Sequence, residues 1–122
     1  MLLERDNREH PVPIELRPIF AKIAEAFASA DYNLLDHSIE GVSLADAETA
    51  SYIADCVAAY GDPITGLDPS TWQRSCYLCL GDHWQALVDL ATANEKVSDL
   101  TLHARIFIDP DVRIVIDSVH VP

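Results

Sequence analysis

The run Leu100-Thr101-Leu102-His103-Ala104-Arg105-Ile106-Phe107-Ile108 leads through Asp109-Pro110-Asp111 into Val112-Arg113-Ile114-Val115-Ile116-Asp117, and it decides the fold. Leu100, Leu102, Ala104, Ile106 and Ile108 alternate with Thr101, His103, Arg105 and Phe107. Val112, Ile114 and Ile116 alternate with Arg113, Val115 and Asp117. A period of two belongs to a strand with one buried face, and an Asp-Pro-Asp step between two such runs turns the chain back. Upstream, Ser75–Leu80 and Trp84–Ala91 flank a Gly81-Asp82 centre that suits a two-residue hairpin turn, and Thr92–Val97 reads as a polar turn. From Arg74 onward the chain therefore predicts a four-stranded antiparallel meander.

The first half has the other periodicity. Leu16, Ile19, Phe20, Ile23, Phe27 and Ala30 fall in one stripe of a helix over about Ile14–Ala30, with Pro18 either starting or bending it. A second helix is expected over about Leu44–Tyr60, with Ser43 as N-cap and Asp46 and Glu48 in its first turn. Ala50, Ile53, Ala54, Val57 and Tyr60 form its apolar stripe, and Gly61 and Pro63 stop it. An antiparallel sheet with one apolar face needs cover, and the helix stripes supply it. The expectation is an α+β two-layer domain, two N-terminal helices on a four-stranded meander. Residues 13–122 form that single domain, and residues 1–12, polar and running into Pro11-Val12-Pro13, are expected to be a flexible arm.

Charge is unevenly spread. Between Lys22 and Arg74 there is no lysine or arginine, and residues 31–73 hold eight acids, supplying −8 of a formal net charge of −12. Such a field repels nucleic acid and anionic membrane surfaces and attracts cationic partners. No run approaches the length of apolar sequence that spans a bilayer. Met1-Leu2-Leu3 is too short for a secretory core, and three cysteines (Cys56, Cys76, Cys79) are no disulfide framework, so a cytoplasmic protein is expected.

The sequence Trp84…Leu87-Val88-Asp89-Leu90…Ser98-Asp99-Leu100-Thr101-Leu102…Ile116-Asp117-Ser118-Val119-His120-Val121 resembles a family of small uncharacterised bacterial domains of unknown function. Those also begin with a helix of the Pro-x-x-Leu-Arg-Pro type, here Ile14 to Pro18. The resemblance implies a bacterial origin and lends support to the fold, but it carries no activity. The order of elements is also similar to cystatin-like and nuclear-transport-factor-like folds, which host ligand binders, enzymes and interaction modules alike.

Candidate chemistry is sparse. Cys76 and Cys79, with His83 beyond, have metal-like spacing, but positions three apart in a strand point to opposite faces and no second cysteine pair exists. Neither a metal nor a cofactor is expected. If Ile108 pairs with Val112, His103 falls directly opposite Asp117, an imidazole–carboxylate pair suited to a general base; the simpler reading is a cross-strand polar pair. Arg105 and Arg113 share that face and are candidates to hold an anionic ligand, or else to pair with Asp89 or Asp117. Trp84 and Phe107 are candidate pocket aromatics, although core packing is the commoner use. No nucleophile, phosphate loop or metal triad accompanies these residues.

The leading expectation is a non-enzymatic interaction module, of the kind exemplified by immunity proteins that neutralise basic toxins. Its acidic side, with Glu40, Glu48 and Asp55, would bind a basic protein. The alternative is a small-ligand binder or enzyme using the open sheet face around His103, Asp117 and Arg105. A homodimer centred on Phe107 and Val115 is the third possibility beside a monomer.

Overall fold

The computed structural model describes residues 2–122. Strand β1 (His10–Pro11) precedes helices α1 (Arg17–Ala28) and α2 (Ala47–Tyr60). Strand β2 (Ile64–Thr65) and a 3-10 turn (Pro69–Gln73) lead to β3 (Cys76–Cys79), β4 (Trp84–Asp89), β5 (Ala91–Thr92), β6 (Thr101–Phe107) and β7 (Arg113–His120). The main sheet has the order β1-β3-β4-β6-β7, antiparallel throughout, and β2 pairs with β5 apart from it. The α+β class is as the sequence predicts. The sheet, however, has five strands rather than four, because the segment expected to be a free arm contributes its outermost strand.

That segment packs closely. Pro11 pairs with Cys76 and His10 with Tyr77, and the His10 and Tyr77 rings stack at 5.4 Å. Leu3 and Val12 are buried in the common core. Residues 2–12 therefore lie against the sheet rather than apart from it; Met1 falls outside the described residues.

Helix α1 begins at Arg17, not Ile14, with Pro18 in its first turn, where a missing N–H leaves no helical bond unmade. Phe20, Ile23, Ala24, Ala26 and Phe27 are its buried residues. Helix α2 begins at Ala47 rather than Leu44, because Asp46 is the N-cap and accepts the Thr49 N–H at 2.7 Å. Ser43 serves the sheet instead: its N–H donates to the Ile114 carbonyl, and the Ile114 N–H donates to Gly41 O. Gly41 has φ +82°, and a Cβ there would stand 3.2 Å from the Val112 carbonyl, so a glycine is required where the loop meets β7. Gly61 closes α2 in the left-handed conformation, as expected.

The hairpin register follows the sequence reading from Phe107↔Arg113 through Ala104↔Ile116. It then slips by one, and His103 pairs with Ser118. A bulge leaves Asp117 without a cross-strand partner in the ladder, and every position beyond it changes its opposite number. Trp84, Ala86, Val88, Leu102, Ala104, Ile106, Ile114, Ile116 and Val119 form the buried face under the helices. The other face carries Leu87, His103, Arg105, Phe107 and Val115, all half-buried. Helix α2 runs along β7 and buries only Ile53 and Val57, so it keeps a broad outer surface.

Candidate functional site

The bulge dissolves the predicted acid–base pair. Asp117 accepts the Arg105 Nε–H at 2.8 Å, while His103 lies flat against His120, ring centroids 4.2 Å apart and planes 12° from parallel. His120 in turn meets the Ser118 hydroxyl at 2.9 Å through Nδ1 and the edge of Tyr52 at 6.5 Å. Among the described residues no carboxylate hydrogen-bonds to His103. Its Nε2 is buried without a hydrogen-bond partner among the described residues. Burial, followed by repulsion from His120, pushes the His103 imidazole below its ordinary value, and the pull of Asp117 does not reverse this.

The direction of that shift is testable. His103 resists protonation in the fold, so the unfolded chain takes up the proton first as pH falls below about 6.5. The stability contribution is full above that pH and is lost on acidification. His103→Phe keeps the stack and removes the unpartnered nitrogen, so it is expected to raise stability at pH 7 by about 1 kcal/mol. Urea unfolding at pH 7 and 5.5 should show a shallower pH slope for the variant; equal slopes would refute the assignment.

The remaining sheet-face candidates are committed elsewhere. Arg113 lies 4.7 Å over the Phe107 ring, and His83 stacks on Phe107 at 5.4 Å. Arg74, not Arg113, approaches Asp89, at 3.6 Å. Trp84 is only 1% exposed, with Arg5 laid over its ring, and together with Phe107, Arg5 and Asp82 it lines a surface cavity of ≈ 300 Å³, so the two candidate aromatics do meet at one cavity. Cys76 faces Leu87 across the ladder and Cys79 faces Trp84, so the two thiols do not converge. Burial, reinforced by Glu9 at 3.3 Å, pushes the Cys76 thiol up to about 12, which leaves it a poor nucleophile and metal ligand.

The eight acids of the base-free segment divide into two sets. Asp31, Asp46, Asp62 and Asp68 each accept backbone N–H groups: Leu35 and Asp36 on Asp31, Thr49 on Asp46, Asn94 on Asp62, Ser70 on Asp68. All four carboxyls are held below the usual carboxylate value. For Asp46 the Thr49 backbone bond is the largest cause, for Asp62 the Thr92 hydroxyl and for Asp68 the Ser70 hydroxyl. At Asp31 burial opposes ionisation, but the bonds from His37 and the amides outweigh it. These acids cap loops and a helix; loops and helix starts leave N–H groups that a carboxylate satisfies.

Asp36, Glu40, Glu48 and Asp55 make no ion pair and no side-chain hydrogen bond among the described residues, and all are exposed. Glu40 borders a surface cavity together with Lys22 and Asp111. Glu48 and Asp55 lie on the outer side of α2, and Tyr52, 51% exposed, lies between them at helical spacing. Tyr52 is not among the residues that the sequence singles out. The signal that could have found it is an aromatic on the solvent arc of an amphipathic helix, one step from the buried stripe.

Fold and surface together define an α+β domain with an acidic, aromatic outer helix face. The chain belongs to the family described as a domain of unknown function (DUF7668), whose model matches residues 24–122. No curated protein and no solved structure matches it significantly.

Proposed function

We propose that this protein is a non-enzymatic interaction module that docks a basic protein on the outer face of α2. The observation that carries this reading is the Glu48–Tyr52–Asp55 stripe: two carboxylates with no internal partner among the described residues flank a tyrosine that is 51% exposed. Tyrosine supplies large contact area with few rotors to freeze, and it is enriched where interface energy concentrates. Uncompensated carboxylates around it favour cationic partners and speed their encounter. Neutralisation of a basic toxin, as immunity proteins do, is one activity of this kind.

The sheet face supports a small-ligand site less well. Arg105 is spent on Asp117, Arg113 on Phe107, and among the described residues no carboxylate hydrogen-bonds to His103.

Salt-sensitive capture of one basic partner from a native lysate is the expected result. Glu48→Gln combined with Asp55→Asn should weaken that capture at least about tenfold, in the range of a desolvated charged contact at an interface. Glu40→Gln, beside Lys22, should change it little. Capture that survives both the double substitution and high salt would overturn the proposal.

A further inference from the structure

We infer that the partner inserts an arginine side chain into the cavity between α2 and the C-terminal end of β7. This rests on the docking function proposed above and names the chemistry it recognises. The cavity, of ≈ 380 Å³, has Tyr52, Cys56, Ala59, Tyr60 and His120 among its lining residues, with Leu100 and Val121 completing it. It borders the Glu48–Tyr52–Asp55 stripe, because Tyr52 belongs to both. Its walls are mostly phenol rings and aliphatic carbon, and they include no lysine or arginine.

Carboxylates stand around it. The Tyr60 hydroxyl donates to Glu95 and accepts the Asp99 N–H, and both acids are exposed. Hydrogen bonding to Glu95 is the main reason the Tyr60 phenol is held above its ordinary value. Asp55, one turn from Tyr52 and Ala59, lies exposed on the same helix side. Lys96 follows Glu95 in sequence and lines, with Glu95 and Asp68, a different cavity.

An anionic group would face the acidic residues that border this cavity, and an uncharged apolar one would leave the Asp55 and Asp99 side chains without partners among the described residues. A guanidinium answers both features. It lies flat on a tyrosine ring, it presents a fork of donors to carboxylates, and its aliphatic stem covers apolar wall. The volume lies at the small end of ligand sites, enough for one long side chain rather than a cofactor.

The test is an NMR titration of the isotope-labelled full chain with N-acetyl-arginine amide, with N-acetyl-citrulline amide as the uncharged isostere. The expected shifts centre on Tyr52, Ala59, Tyr60, Leu100 and Val121 for the arginine probe and are absent for citrulline. Tyr52→Ala should weaken the arginine probe by about threefold, the effect of one exposed cation–ring contact. Ala59→Arg, at an exposed helix position, places a competing cation in the cavity and should abolish the response. Equal response to citrulline, shifts confined to Glu48 and the N-terminal turn of α2, or indifference to Ala59→Arg would overturn the inference. If partner capture still depends on Glu48 and Asp55 in that event, the docking function stands without this pocket. Arginine binding at the cavity with no salt-sensitive capture would instead keep the pocket and remove the docking function.

Discussion

Replacement of Trp84 with alanine is expected to destabilise the protein by about 3–5 kcal/mol, the cost of deleting a large, fully buried aromatic side chain. Trp84 is the largest of the fully buried side chains and sits in the layer that joins helices and sheet. Its indole N–H donates to the Glu4 carbonyl at 2.9 Å, and the Arg5 guanidinium lies 4.5 Å over the ring. The substitution thus opens a cavity and also releases the N-terminal segment from β4. Trp84→Phe refills most of the volume and loses the N–H, so its cost should be a minor fraction of that for alanine. Urea midpoints measured on both variants decide the matter. A Trp84→Ala protein as stable as the parent would mean that the indole lies at a surface, as a ligand-site aromatic would.

The C-terminal hairpin is legible in the sequence because its information is local. Alternation across Leu100–Ile108 and Val112–Ile116 selects the strands, and the Asp109-Pro110-Asp111 turn sets the register up to Ala104. The bulge at Asp117 is not legible, since Asp117-Ser118 reads as readily as strand continuing as it does as strand interrupted. That one-residue slip separates His103 from Asp117 and stacks it on His120 instead. Helix α2 shows the same division. Its C-terminus is set by Gly61, a position that needs a left-handed backbone. At its N-terminus Ser43 and Asp46 both qualify as caps, and only the pairing of Gly41–Ser43 with Ile114 in the folded chain separates them. The acidic segment is legible as charge and not as role. Nothing in composition distinguishes Asp31 or Asp62, bound to distant or looping amides, from Glu48 and Asp55, which face water. Strand β1 stays hidden because two residues of pairing beside two prolines leave no periodicity to read.

Deletion of residues 1–9 is the second large perturbation, expected to cost at least about 2–5 kcal/mol, the range for emptying one buried leucine site. Leu3 is fully buried, and the Glu4 N–H donates to the Tyr77 hydroxyl at 2.8 Å beside the Trp84–Glu4 bond. Removing the segment leaves the Trp84 N–H and the Tyr77 hydroxyl without these partners and empties the Leu3 site, while β1 (His10–Pro11) is retained. A flexible arm would cost nothing to remove, so the unfolding midpoint of the truncated chain separates the two cases directly. The combination with Trp84→Ala carries the stronger test. Both changes abolish the Trp84–Glu4 bond and the Arg5–Trp84 contact, so their joint cost should fall short of the sum of the separate costs. Additive costs would show that the two sites do not touch, and with that the docking of the N-terminal segment on the sheet would fail.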